Sequence, residues 1–154
     1  MGISAVDKAG AHKNRIAELK DKTFNQLIEE ADAIWEKQLN KIVVETYKES
    51  DMYNFYSALY HTMIAPNLYQ DVDGRYRGMD MEIHEDLDND YYTVFSLWDT
   101  YRAAHPLYTI IEQERTNDFI NTFLNKYDEG GIMPIWDLSA NYTGCMIGYH
   151  AVPV

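Results

Sequence analysis

Two Trp-Asp dipeptides, Trp98-Asp99 and Trp136-Asp137, are the residues of this chain best equipped to hold a ligand. A carboxylate accepts hydrogen bonds from neighbouring hydroxyls, and an indole offers an apolar plate to the C–H face of a pyranose. In FSLWDTYRAAHPL, residues 95–107, Ser96 followed three positions later by Asp99 approximates a capping box, with Asp in place of Glu or Gln. A helix is therefore predicted to start near Leu97. Its free first-turn amides would keep Asp99 ionised and able to take hydrogen bonds from a sugar. A helix cap beside a core tryptophan is the simpler account of the same residues, and spacing alone leaves both open.

The other candidates are weaker. DVDGRYRGMDME, residues 71–82, puts Asp71, Asp73 and Glu82 at positions 1, 3 and 12 of a calcium loop. The match breaks at Tyr76, where the loop needs glycine, and at Arg75, where it needs a ligand. A structured turn with arginines pairing to nearby acids, or a loop bordering a cleft, fits better. His12, His61, His84, His105 and His150 form no zinc-binding spacing. His150, in the apolar YHAVP, must find a polar partner whether it is core or functional. Cys145 has no nucleophile signature and reads as a small buried apolar group. Asn141-Tyr142-Thr143 is a glycosylation sequon. No two acids stand out as a general acid and base.

Composition narrows the partners. The chain has 154 residues and a formal charge of -12, from 25 acidic and 13 basic side chains spread along its length. Phosphate binding needs a basic face, so nucleic acid and anionic membrane surfaces are poor partners. No apolar run approaches membrane-spanning length, and MGISAVDKAG carries no signal peptide. A single cysteine excludes an internal disulfide framework without fixing the compartment. The 13 tyrosines and 3 tryptophans are as useful to a carbohydrate site as to a core.

Stepping along the chain, GISAVD alternates as a short strand would. Phe24, Leu27, Ile28, Ala31, Ile34, Trp35 and Leu39 share one helical face, with Asp21 or Thr23 as N-cap. KIVVE breaks the pattern. A second helix follows from Ser50 or Asp51, with a wide stripe from Met52 to Met63 that implies burial between neighbours, and it ends before Pro66. Asp73-Gly74 suggests a hairpin turn or an irregular loop, and residues 80–90 an exposed connection. The helix begun near Leu97 should end or kink at His105-Pro106. Thr116 should cap a last helix that Gly130-Gly131 stops. Four or five helices make this an all-α chain with short β segments. Its apolar faces expect further helices, and the apolar ending TGCMIGYHAVPV suggests a cut from something larger.

The phrases FYSALYHTMIAPNLYQDVDGRYRGMD, YYTVFSLWDTYRAAHPLYTII, RTNDFINTFLNKYDEGGIMPIWDL and NYTGCMIGYHAVPV closely resemble glycoside hydrolase family 92, the exo-acting, calcium-dependent α-mannosidases. The resemblance implies that residues 1–20 end a preceding β-sandwich domain and linker. Residues 21–154 would be the N-terminal part of an (α/α)6 toroid, truncated at its C-terminus. It implies that Asp99 holds hydroxyls of a terminal mannose with Trp98 beside it, and that Arg75, Trp136, Asn141 and His150 are further substrate contacts. The expected partners are an α-mannoside glycan and the remainder of the parent polypeptide. Inverting hydrolysis needs an acid and a base across about 6.5–9.5 Å. In the family those carboxylates and the calcium ligands lie beyond YHAVPV, so no catalytic residue, no metal ligand and no activity are expected of this chain alone. The parent would be secreted, periplasmic or cell-surface. The alternative is an independent helical carbohydrate-binding or interaction module, which should melt cooperatively as a monomer.

Overall fold

The computed structural model describes residues 1–154. Two compact bodies are present, Glu18–Ala65 and the union of Met1–Ala17 with Pro66–Val154. Helices hold nearly half the chain, six of them rather than the expected four or five, with three two-stranded antiparallel ladders. None of the helices is long and apolar enough to cross a membrane.

The smaller body contains α2 (Phe24–Leu39) and α3 (Glu49–Thr62). Thr23 caps α2 through a complete capping box: its hydroxyl accepts the Gln26 amide at 3.3 Å, and Gln26 Oε1 accepts the Thr23 amide at 2.8 Å. The N-cap of α3 is Lys48, ahead of the predicted Ser50 or Asp51, so that Glu49 and Asp51 lie in the first turn where the helix dipole favours acids. Trp35 packs on Tyr60 with ring centroids 4.6 Å apart, and the Tyr56 hydroxyl donates to the Ile42 carbonyl at 3.3 Å. The wide stripes are not buried within this chain. α2 has no buried residue, α3 buries only Leu59, and Phe24, Ile34 and Tyr53 are exposed. An apolar groove of about 610 Å³ runs along Leu39, Met52, Tyr53, Tyr56 and Tyr60.

The larger body opens with a correction. GISAVD is not a strand, because the Ser4 hydroxyl accepts the amides of Val6 and Asp7 and turns the chain. Asp7 Oδ1 then accepts the Gly10 amide at 2.7 Å and starts α1 (Lys8–Leu19). Gly10 is buried because Asp71 lies against it: a Cβ there would sit 2.0 Å from Asp71 Oδ2. Asp71 in turn accepts Ser4 Oγ and Asn14 Nδ2, each at 2.7 Å.

β1 (Asn67–Leu68) pairs with β4 (Tyr92–Thr93), and β2 (Arg75–Arg77) with β3 (Ile83–Glu85). Asp73-Gly74 does turn, with Gly74 at φ +82°, but it precedes the ladder. The hairpin closes at Gly78–Glu82 instead, so residues 83–85 of the expected exposed connection form a strand. Tyr76 stacks on Tyr91 at 3.8 Å, and both phenols donate to Glu129, at 3.1 and 2.9 Å.

The single helix expected from Leu97 to His105-Pro106 is two. α4 (Leu97–Thr100) is one turn, and α5 (Ala104–Ile111) begins after a break. Pro106 opens α5, where a missing amide costs no helical hydrogen bond, so a residue taken as a stop is a start. α6 (Gln113–Gly130) starts ahead of Thr116, whose hydroxyl bonds back to the Glu112 carbonyl at 2.9 Å. Gly131 ends it at φ +76°, as the Gly-Gly pair predicts. α6 buries Thr116, Phe119, Thr122, Phe123 and Lys126 along one face. With Tyr92, Phe95, Leu97, Tyr108 and Ala151, the two phenylalanines form the core. Phe95 stands edge-on to both, at 5.5 and 4.7 Å. β5 (Asp137–Leu138) and β6 (Asn141–Tyr142) make the last hairpin.

Candidate functional site

Asp137 organises the segments that carry the candidates. It is completely buried, and its Oδ1 accepts the Phe95 amide at 3.0 Å. Its Oδ2 accepts the Thr93 hydroxyl at 2.8 Å and the Lys126 ammonium at 2.5 Å. Lys126 is equally buried, over the faces of Tyr91 and Phe95 at 5.0 and 5.8 Å. Burial pulls its pKa down, while Asp137 opposes that shift. Val94, between two of the donors, is held at φ +66°, a costly conformation for a β-branched residue. The chain bends there so that Thr93 and Phe95 both meet one carboxylate.

That clamp fixes a neighbourhood. The Leu97 amide donates to the Ile135 carbonyl at 2.8 Å, and Ser96 bridges to Trp136 in antiparallel fashion. Trp136 therefore lies alongside the turn bearing Trp98 and Asp99. Asp137, the acid of the second Trp-Asp pair, faces inward and is fully spent on protein donors. The two dipeptides look alike in sequence and do opposite things.

Asp99 is exposed, and its Oδ2 accepts the Ser96 hydroxyl at 2.6 Å. No side-chain cap bond reaches the helix amides; the amides of Asp99 and Thr100 donate to the Ser96 carbonyl instead, each at 3.0 Å. The expected capping box is thus absent, and a single turn contributes little macrodipole. Trp98 is half-buried rather than core; Leu97 takes the core place. The Arg102 guanidinium lies 4.9 Å from the Trp98 ring centroid and 5.4 Å from that of Tyr101. Tyr101 is stacked on its other neighbour, His150, at 4.5 Å and 10°. His150 is half-buried, and Gly148, at φ +105°, makes room for it, since a Cβ there would come within 2.7 Å of Nε2. Asn141 is exposed on the hairpin that follows Trp136, and the Thr143 hydroxyl donates to the Trp136 carbonyl at 2.7 Å.

Arg75 sits elsewhere. It bonds Asp73 at 3.1 Å and Asp7 at 3.0 Å, and Asp73 also takes Lys13 at 2.7 Å. Lys13 first, then Arg75, hold the Asp73 carboxyl down to about 2. So the structure brings Trp98, Asp99 and Trp136 together, with Asn141 on the adjoining hairpin and His150 joined through Tyr101, and leaves Arg75 in an ion-pair network binding α1 to β2.

The acids of residues 71–82 do not fit calcium. Asp71 is used by Ser4 and Asn14, Asp73 by lysine and arginine, and Asp80 by His84. No three His, Cys, Asp or Glu side chains are grouped to hold a metal ion. Cys145 is exposed, not buried as predicted. The buried histidine is His105, 2% exposed, with Nδ1 unpartnered and its pKa lowered to about 4 by desolvation. Sequence reasoning also missed Lys126. Its one signal was its place three and seven residues after Phe123 and Phe119, on the apolar face of α6.

The sequence profile of the glycosyl hydrolase family 92 catalytic domain matches residues 10–154. Among solved structures, a family GH92 α-mannosidase from Bacteroides thetaiotaomicron is 43% identical with a TM-score of 0.91, over 97% of this chain and 20% of that one. The same enzyme in complex with mannoimidazole matches equally, at 43% identity and a TM-score of 0.91. A family GH92 inverting mannosidase from the same organism is 30% identical, with a TM-score of 0.89, again over 97% of this chain and 20% of that one. This chain therefore spans about a fifth of the length of these relatives. No curated protein matches it.

Proposed function

The chain belongs to glycoside hydrolase family 92, and from that premise we propose that it is the sugar-binding portion of an enzyme releasing terminal α-linked mannose from glycans by inverting hydrolysis. The observation that carries this is the clamp on Asp137. It holds an exposed carboxylate, Asp99, and two tryptophans, Trp98 and Trp136, on adjoining segments. Asp99 keeps Oδ1 free for a sugar hydroxyl while Oδ2 takes Ser96. Support for the sugar comes from the 43% identical relative that binds mannoimidazole, and support for inversion from the 30% identical inverting mannosidase.

Asn141 and His150 are proposed as outlying contacts on the same face. Arg75 retains at most a structural part in it, since its guanidinium is committed to two carboxylates. The acid and base, about 6.5–9.5 Å apart in an inverting enzyme, would be supplied by the rest of the polypeptide, together with any calcium and the helices completing an (α/α)6 toroid. Export of the whole enzyme belongs to the same proposal. The isolated chain binds mannosides weakly and does not turn them over. Incubation of the purified chain with an aryl α-mannoside should release no phenol. Turnover that disappears in Asp99→Ala would overturn this division of labour.

A further inference from the structure

Residues 1–17, which carry most of α1, lie against β2 and the loop before it without burying a single apolar side chain; Gly10 is the one residue of α1 that is buried. What holds them there is polar. Lys13 pairs with Asp73 at 2.7 Å and Asp7 with Arg75 at 3.0 Å, all four side chains partly exposed. Asp71 accepts from Ser4 and Asn14, and Asn14 Oδ1 accepts the Val72 amide at 2.9 Å. The Arg77 guanidinium donates to the carbonyls of Ala5 and Val6, at 2.9 and 3.3 Å. α6 is held in the opposite way, by Phe119 and Phe123 in the core.

The same residues are bound to one another. The Ser4 hydroxyl takes the Val6 and Asp7 amides, Asn14 donates to the Ile3 carbonyl at 2.8 Å, and a Cβ on Gly2 would come within 2.1 Å of the Ala11 carbonyl oxygen. A piece with its own internal bonds, whose outer contacts are polar groups that water can replace, opens at low cost because opening exposes little apolar surface. Partly exposed ion pairs are the contacts that salt weakens most. We infer that residues 1–17 are a strap that detaches from β2 and its preceding loop as one piece while the rest of the larger body stays folded, and that ionic strength sets how often it does so. Detachment takes Asp7 from Arg75 and two carbonyls from Arg77, and so uncovers a cationic edge on an otherwise acidic chain. Nothing in this opening depends on a bound sugar.

The test is hydrogen exchange of the 154-residue chain, read amide by amide by NMR in about 0.1 M and about 1 M sodium chloride, between which the screening length falls from about 10 Å to about 3 Å. Amides of α1 should exchange at least about a hundredfold faster than those on the buried face of α6, and about tenfold faster again at high salt, with α6 unchanged. The Val72 amide, held by Asn14, should follow α1 in rate and salt response, whereas the Asp71 amide, bonded to the Arg75 carbonyl at 2.8 Å, should not. Arg75→Gln from the strand side and Lys13→Gln from the strap side should each speed α1 exchange by at least about threefold at low salt and shrink the salt response. Exchange of α1 at the α6 rate would overturn the strap. Fast α1 exchange at one rate in both salts would overturn its ionic release. A Val72 amide that stays protected while α1 exchanges would mean that α1 frays in place, and would overturn detachment as one piece.

Discussion

Replacing Lys126 by methionine should be among the most damaging single changes in the larger body. Both Lys126 and Asp137 are 0% exposed, so the mutation strands an ionised carboxylate in the core. Breaking a buried pair this way costs about 3–5 kcal/mol. Asp137 keeps the Phe95 amide and the Thr93 hydroxyl as donors, which puts Lys126→Met near the low end, about 3 kcal/mol. Asp137→Asn strands the ammonium instead, which can lose its proton, so a similar cost is expected. The double variant Lys126→Met/Asp137→Asn removes both charges. Its amide oxygen can still accept from Phe95, and its NH2 can donate to the Thr93 hydroxyl. It should recover to within roughly 1–2 kcal/mol of wild type, well short of the sum of the single losses. Urea unfolding followed by far-ultraviolet circular dichroism reads all four proteins. Additive losses, or a Lys126→Met cost under about 1 kcal/mol, would refute the coupling.

Other expectations follow from single contacts. His105 is buried neutral, so its contribution is complete above about pH 6.5 and is lost as pH falls toward 4, a total of roughly 3 kcal/mol. A pH series of unfolding midpoints should show that slope in wild type and a shallower one in His105→Phe; equal slopes would reject the assignment. Gly10→Ala should cost about 1–3 kcal/mol, because its Cβ would meet Asp71 Oδ2 at 2.0 Å, and hydrogen exchange should rise in α1. An unchanged midpoint would mean that α1 shifts freely. Within an active enzyme carrying this segment, Asp99→Ala should lower kcat/KM by at least about tenfold, the cost of a charge-assisted hydrogen bond. Activity equal to wild type would remove Asp99 from the site.

Signals that act over a few residues were legible. The three-and-four spacing from Phe24 to Leu39, with Thr23 as one of two N-cap candidates, announced α2, and Gly131 closed α6 as glycine in the left-handed region does. Pro106 was misread because proline both ends helices and opens them, and only the break before Ala104 distinguishes the cases. α1 was missed because what holds it is distant: Asp71 against Gly10, and Arg75 on Asp7. The site divides the same way. Residue type picked out Trp98, Asp99 and Trp136, yet could not tell the outward Asp99 from the inward Asp137. That difference is made by Lys126, eleven residues before Asp137 and across the Gly130-Gly131 stop. Arg75 entered the site from family resemblance alone, whereas the local reading of residues 71–82, a turn whose arginines pair with nearby acids, describes its bond to Asp73 and leaves only the distant Asp7 unseen.

The Tyr76–Tyr91 stack makes the chain its own optical probe. Two phenols 3.8 Å apart and 18° from parallel are close enough for their transitions to couple, giving a near-ultraviolet dichroism band distinct from isolated tyrosines. Burial first, and then the charge of Glu129, push both phenols well above the ordinary tyrosine range. During an alkaline titration read at the phenolate absorbance, this pair stays dark until well past the ordinary tyrosine range. Because one ring comes from β2 and its carboxylate partner from α6, the delayed signal reports when hairpin and helix part, without any added label.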